Sequence, residues 1–410
     1  MHLIRVNTKF KFLGDMLLNI VASGMPIALL NLLVYPMIAG QVGAATYGTL
    51  TVCVGVQNFV NGIWGSSVAY TRLLHLKKEE EGSFSLLFLI NLSGGLIMNI
   101  FMLCLTGCLK EGINVPLLLL SEIFLIANNY LTVEYRLKLS YVKIFMTNAC
   151  GCIGYLLGYA MLSAMNFQCW EIVFVTGYGA SFIYNLFSTS IWQQKLMITP
   201  GFKLLLKNTN VLVTTSTISG VSTYLDKFVI YPYLGAESMT YYQTASIMSK
   251  IIPMLATSIS NVILSYLVKI NVLSRKILSV CIIALSGVCV IGYYVCGLIV
   301  PVVIQVLYPS FYEKCMDIIP FANMIAMLQM FYTFIVPLTL RYAERRMQYY
   351  IQIGRLAFYL LFTVLLIGKY NLTGFCYATI ISLLVQNLIV LLICFKTIEG
   401  GGSVESFSGD

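Results

Sequence analysis

The feature that most constrains this chain is a repeated one. Runs of about twenty residues with almost no charge recur near residues 15–38, 47–70, 83–107, 113–133, 144–165, 171–192, 209–234, 242–268, 277–305, 318–340, 348–368 and 372–395. About 20 apolar residues in a helix cross the roughly 30 Å hydrocarbon layer of a bilayer. Lipid offers no partner to a bare amide, so such runs bond their backbone internally as helices. With 59% apolar and only 10% charged side chains in 410 residues, the chain has more apolar surface than a water-soluble core can bury. The expectation is an all-α integral membrane protein with about twelve spans and little mass outside the bilayer. The first run follows Arg5, Lys9 and Lys11 and lacks a small-residue cleavage site, so it reads as a retained anchor.

A net charge of +9 raises the question of a nucleic-acid partner, and the placement of the 25 Lys and Arg answers it. Alternate connecting segments carry Arg5, Lys9, Lys11; Arg72, Lys77, Lys78; Arg136, Lys138, Lys143; Lys195, Lys203, Lys207; Lys269, Arg275, Lys276; Arg341, Arg345, Arg346; and Lys396. The intervening segments hold only Lys110, Lys314 and Lys369. By the positive-inside rule this asymmetry orients a membrane protein with both termini in the cytoplasm, and no nucleic-acid partner is implied. Three cations remain inside predicted spans, Lys227, Lys250 and Arg355, together with the acids Asp226 and Glu122. A charge at mid-bilayer costs about 2.5–3.5 kcal/mol on the insertion scale, so such residues face a wet cavity or a partner. Snorkelling to the cytoplasmic surface is an alternative for Arg355. Asp226 and Lys227 are adjacent, hence about 100° apart on a helix, and are predicted to be poor partners. The twelve cysteines show no Cys-x-x-Cys pair, and they imply neither a metal centre nor a redox site.

Several spans carry polar stripes at helical spacing. The seventh has Ser216, Ser219, Gly220, Thr223, Asp226 and Lys227; the eighth has Ser246, Ser249, Lys250, Pro253, Thr257, Ser260 and Asn261. The eleventh aligns Gln348, Gln352, Arg355 and Tyr359, and the second aligns Asn58, Asn61, Gly62, Gly65 and Ser66. Small and polar stripes hold membrane helices together, but the lysines exceed what that role needs. Prolines 26, 36, 253, 301 and 337 interrupt spans, which kinks them. The chain also echoes itself: Tyr35-Pro36, Gly43-Ala44 and Tyr47 are matched by Tyr231-Pro232, Gly235-Ala236 and Tyr241. Two six-helix lobes are expected, over 1–200 and 201–399, followed by a Gly/Ser-rich disordered tail at 400–410. Paired lobes favour alternating access to a central cavity.

At these residues the sequence resembles the polysaccharide flippases of the multidrug/oligosaccharidyl-lipid/polysaccharide (MOP) exporter superfamily. Pro36 through Gly48 is similar to the family's first outer turn. Asp226-Lys227, Leu234-Gly235-Ala236, Tyr241, Leu307–Tyr312 and Gly374–Thr379 resemble further family segments, in order across nearly the whole chain. One departure is Gly40, where family members often carry arginine. The resemblance implies two six-helix bundles forming a V, a bacterial inner membrane, and an undecaprenyl-pyrophosphate-linked oligosaccharide (an O-antigen or capsule repeat unit) moved to the outer leaflet. It also implies pathway partners that polymerise the glycan and set its chain length. In that setting Lys227, Lys250 and Arg355 would attract phosphates, and Asn58, Asn61 and Asn261 would meet sugar hydroxyls. Asp226 and Glu122 would carry any coupled H+ or Na+, with no cofactor, metal or catalytic residue. Two rival functions are a cation-coupled exporter of small molecules, whose cavity should be dominated by acids, and a membrane glycan polymerase. The polymerase would need a substantial catalytic loop or a His/Asp/Arg cluster, whereas the outer loops are short and both histidines, His2 and His75, fall on the cytoplasmic side.

Overall fold

A computed structural model of the chain describes residues 18, 20–74, 81–164, 169–191, 194, 196–247, 250–253, 256–257, 259–260, 263, 274–342 and 345–399. Among these, all regular structure is helical. We number twelve long runs: α1 (20–42), α2 (44–74), α3 (Glu81–Thr106), α4 (Val115–Leu131, continued by the short helix Val133–Leu137), α5 (Tyr141–Ala164) and α6 (Glu171–Ser188). They continue with α7 (202–234), α8 (from 236), α9 (Arg275–Leu307), α10 (Ile319–Tyr342), α11 (345–370) and α12 (372–399). The runs overlap the expected spans, the eighth being described only in part. Among the described residues seven helices are long and apolar enough to cross a membrane, and the two longest, Ile20–Leu74 and Tyr350–Lys396, each contain a backbone break. The runs α6 and α7 are not among the seven, and α8 is described only in part. The amino-terminal cations Arg5, Lys9 and Lys11 and the tail 400–410 lie outside the described residues.

Three junctions have no loop, only one non-helical residue: Gly43 between α1 and α2 (φ 78°, ψ 175°), Gly235 between α7 and α8 (φ 85°, ψ 172°), and Asn371 between α11 and α12 (φ 50°, ψ −128°). The first two lie in a region of backbone space that is essentially reserved for glycine. They are also the two glycines of the internal sequence echo, so the echo marks a repeated backbone device. Asn is among the few non-glycine residues that tolerate positive φ. Two wide turns occur within helices, at Leu30–Val34 and Asn61–Gly65, closed by Tyr35 N–H to the Leu30 carbonyl and Ser66 N–H to the Asn61 carbonyl. The first abuts Pro36, whose missing N–H leaves a carbonyl of the preceding turn without its helical donor.

By packing, the chain divides into two compact units, 1–236 and 237–410. In the first, α5 and α6 approach closely through Gly154 and Gly158, where a Cβ would strike Thr176 and its backbone. Small residues give membrane helices this proximity. Asn185 on α6 accepts from Thr147 (2.7 Å) and donates to Asn128 of α4 (2.8 Å), which ties three helices through one amide. In the second unit, Leu278, Ile335, Ile351, Val390 and Cys394 form an apolar cluster drawn from α9 to α12.

Replacing Gly43 or Gly235 with alanine forces a Cβ into backbone geometry it disfavours, a cost of about 1–3 kcal/mol each. Both variants should melt at a lower temperature in detergent. Gly40→Ala, three residues away with nothing within 4 Å of the added atom, should leave the melting temperature unchanged or raise it.

Candidate functional site

In the first unit α2 and α7 pack along a shared seam. Phe59 meets Tyr224 and Phe228 edge-on, with ring centroids 5.9 and 5.2 Å apart, and it also fills the space beside Gly220. One turn along, Gly55 provides the groove for Lys227, since a Cβ there would overlap the lysine stem. Lys227 Nζ lies 3.2 and 3.3 Å from the two carboxylate oxygens of Asp226 and 5.5 Å from the Tyr224 ring centroid. The two side chains are 8% and 13% exposed, so the pair is nearly dry. This corrects the expectation that neighbouring residues on one helix would diverge. A lysine has a four-carbon stem, and with Gly55 leaving room the ammonium curls back over its own helix to the preceding carboxylate. Gly55, which the polar stripes did not single out, makes that path available.

Glu122 on α4 is fully buried, and Asn99 Nδ2 donates to its Oε2 at 3.1 Å. Among the described residues its Oε1 has no hydrogen-bond partner, and neither does Asn99 Oδ1. Gln57 of α2 donates to the Leu118 carbonyl (2.9 Å) and to Ser121, the neighbour of Glu122. Asn61 accepts from Asn129 of α4 at 2.7 Å, while Asn58 is half-buried on α2. Asn99, Gln57 and Asn129 were legible only as polar residues within apolar stretches. Arg72 departs from the sequence reading in a different way. Assigned to a connecting segment, it sits in the last turn of α2 and is only 7% exposed. It donates to Tyr130 Oη (2.6 Å) and Gln194 (3.0 Å), with its guanidinium over the rings of Phe84 and Tyr130. Aromatic faces and neutral oxygens hold this cation.

In the second unit the stripe on α11 faces α10 and α12. Gln352 donates to Tyr332 Oη at 3.2 Å, and Thr379 of α12 donates to Tyr359 Oη at 3.4 Å. Arg355 lies among these phenols with its Nε buried and without a hydrogen-bond partner among the described residues. Ten residues into α11, it is about 15 Å along the helix from residue 345. Among the described residues no carboxylate pairs with it. Gln386, 1% exposed, lies beside Tyr332 with no well-formed hydrogen bond at either end of its amide among the described residues, and the Thr363 hydroxyl is likewise unpartnered there. Lys250 is exposed on α8 and donates to Gln243. Asn261 and the side chain of Gln348 lie outside the described residues. The candidate residues therefore form three groups: Asp226 and Lys227 on the α2–α7 seam, Glu122 with Asn99, and Arg355 among the amides and phenols of α10–α12.

No family model and no curated protein sequence matches the chain. Solved structures do. An inward-facing multidrug resistance MATE family transporter of the MOP superfamily aligns with a TM-score of 0.69 at 12% identity, over 95% of this chain and 100% of that one. The lipid II flippase MurJ in an inward closed conformation aligns with a TM-score of 0.68 at 19% identity, over 94% of this chain and 90% of that one. The eukaryotic MATE transporter AtDTX14 aligns at 0.54 and 13% identity, over 95% and 98% of the two chains. The likeness shows the fold. The chain is an all-α, multi-pass membrane protein with the fold of these transporters. That fold is shared by a multidrug resistance transporter and a lipid II flippase.

Breaking a buried ion pair on one side leaves an uncompensated charge, at a cost of about 3–5 kcal/mol, whereas removing both charges costs much less. Asp226→Asn and Lys227→Met should each lower the melting temperature in detergent more than the double variant does. Equal or additive losses would show that the two groups do not depend on each other.

Proposed function

We propose that this protein is a flippase carrying an undecaprenyl-pyrophosphate-linked oligosaccharide, an O-antigen or capsule repeat unit, from the cytoplasmic to the outer leaflet of a bacterial inner membrane by alternating access. Both termini face the cytoplasm in this reading, as the basic segments favour. The observation that carries it is Arg355, a permanent cation set within a span among hydroxyls and amides, with no carboxylate pairing it among the described residues. A guanidinium presents five donors in a plane suited to phosphate oxygens. The surrounding Gln352, Tyr332, Tyr359 and Gln386 supply the donors and acceptors that sugar hydroxyls lose on leaving water.

Lys227 and Lys250 add positive charge along the route. Lys227 is held by Asp226 at rest, so a phosphate would compete with the carboxylate for the ammonium and release Asp226 to take up a cation. Asp226 and Glu122 are then the residues through which H+ or Na+ coupling would act. An interior-negative potential favours outward movement of the anion, by about 2.3 kcal/mol per charge per 100 mV. A second reading, a cation-coupled small-molecule exporter, draws support from Glu122, a buried acid whose Oε1 lacks a partner.

Expressed in a bacterial strain lacking its own repeat-unit flippase, the chain should restore surface glycan. Arg355→Gln and Lys250→Ala should reduce that glycan at least tenfold at unchanged membrane levels of protein, with Arg355→Lys intermediate. Full restoration by Arg355→Gln would remove Arg355 from substrate handling. Single repeat units on the surface in the parent strain would point to polymerisation as the missing step.

A further inference from the structure

A cavity of about 770 Å³ opens at one end of the first unit, within the roughly 300–1,000 Å³ range of ligand sites. Its walls come from the α1–α2 junction, the α3–α4 connection, the end of α5 and the residues that lead into α6. All three connections lie at the end opposite Arg72, Arg136, Lys138 and Lys143, hence on the outer side by the positive-inside rule. The polar lining includes Gln41, Thr46, Thr49, Glu111, Asn114 and Glu171, Ser163 stands at its edge, and Trp170 contributes a ring to the wall. No Lys, Arg or His lines it among the described residues.

The lining is a built one. Glu171 is 2% exposed, and one of its oxygens accepts the Asn114 N–H at 2.7 Å, which fixes the carboxylate between the first turns of α4 and α6. Asn114 also caps α4 by accepting from Leu117 N–H. Gln41 donates to Tyr159 Oη at 3.0 Å, leaving its carbonyl for a ligand, and Trp170 is held by an edge contact with Phe174. Negative charge at Glu111 and Glu171 opposes a phosphate at these distances. Carboxylate, amide and hydroxyl groups without a base instead match a neutral, hydroxyl-rich ligand, because carboxylates accept from paired hydroxyls and amides both give and accept.

We infer that this outer vestibule is a carbohydrate-binding site, which receives the sugar portion of the headgroup while excluding its pyrophosphate. The inference rests on the lipid-linked glycan reading for its biological meaning, but its chemistry comes from the cavity alone. Sugar and phosphate would thus be handled at separate places, with the cations inside the spans serving one and the vestibule the other.

The test is saturation-transfer NMR on the full chain in nanodiscs. The probes are soluble methyl glycosides of glucose, galactose and N-acetylglucosamine, with inorganic pyrophosphate and tetraphenylphosphonium as comparators. At least one glycoside at millimolar concentration should receive saturation. The signal should fall at least about threefold in Ser163→Trp, which fills the cavity, and in Glu111→Lys, a rim substitution that serves if the first variant does not fold. Pyrophosphate should give no cavity-dependent signal. Overturning results would be glycoside signals unchanged in these variants, no glycoside signal at all, or a cavity-dependent signal from tetraphenylphosphonium or pyrophosphate alone. Glycoside binding that persists in a protein unable to restore surface glycan would uphold the vestibule and sink the transport reading, so the two failures are distinguishable.

Discussion

Lipid cannot hydrogen-bond. That constraint fixes the helical form of the chain, since every backbone amide in a span must be bonded along its own helix. It also gives meaning to each polar side chain left inside. In water an unpaired amide or hydroxyl is solvated at no cost, whereas in a bilayer it needs a neighbour, a cavity or a ligand. The described residues sort along this line. Asn185 and Asn61 find neighbours and join helices. Lys227 finds Asp226, and Arg72 finds aromatic faces and Tyr130. Glu122, Gln386 and Arg355 each retain at least one buried polar atom without a partner. There, as at Asn99, Gln57 and Thr363, a buried polar atom goes unanswered by the protein's own described side chains.

Helix breaks carry the rest of the architecture. Gly43 and Gly235 adopt nearly the same dihedrals, and each is preceded by a tyrosine–proline pair. Proline loosens the helix before the break and glycine permits the kink itself, so each junction needs no loop.

Much of this was legible in the sequence. Run length and charge asymmetry gave the number of helical runs, because both depend on physics that acts on one residue type at a time. The intramembrane charges were also legible, as exceptions to that pattern. What could not be read were outcomes that depend on partners far along the chain. Adjacent residues 100° apart looked unable to pair, yet Gly55, on another helix, leaves room for Lys227 to curl back onto Asp226. Arg72 looked like a loop cation because hydropathy places it at the end of a run, whereas Phe84, Tyr130 and Gln194 enclose it. The outer cavity, assembled from three connections separated by tens of residues, left no local signature at all.

The central claim is that the cations inside the spans serve an anionic, lipid-linked headgroup. The most direct measurement places the purified chain in vesicles with a fluorescent polyprenyl-pyrophosphate oligosaccharide and, separately, with tetraphenylphosphonium, and follows protein-dependent movement of each. Transfer of the glycolipid between leaflets, accelerated by a potential that drives anions in that direction and absent for the organic cation, is the predicted result. Movement of the organic cation alone, driven by a proton or sodium gradient, would contradict it.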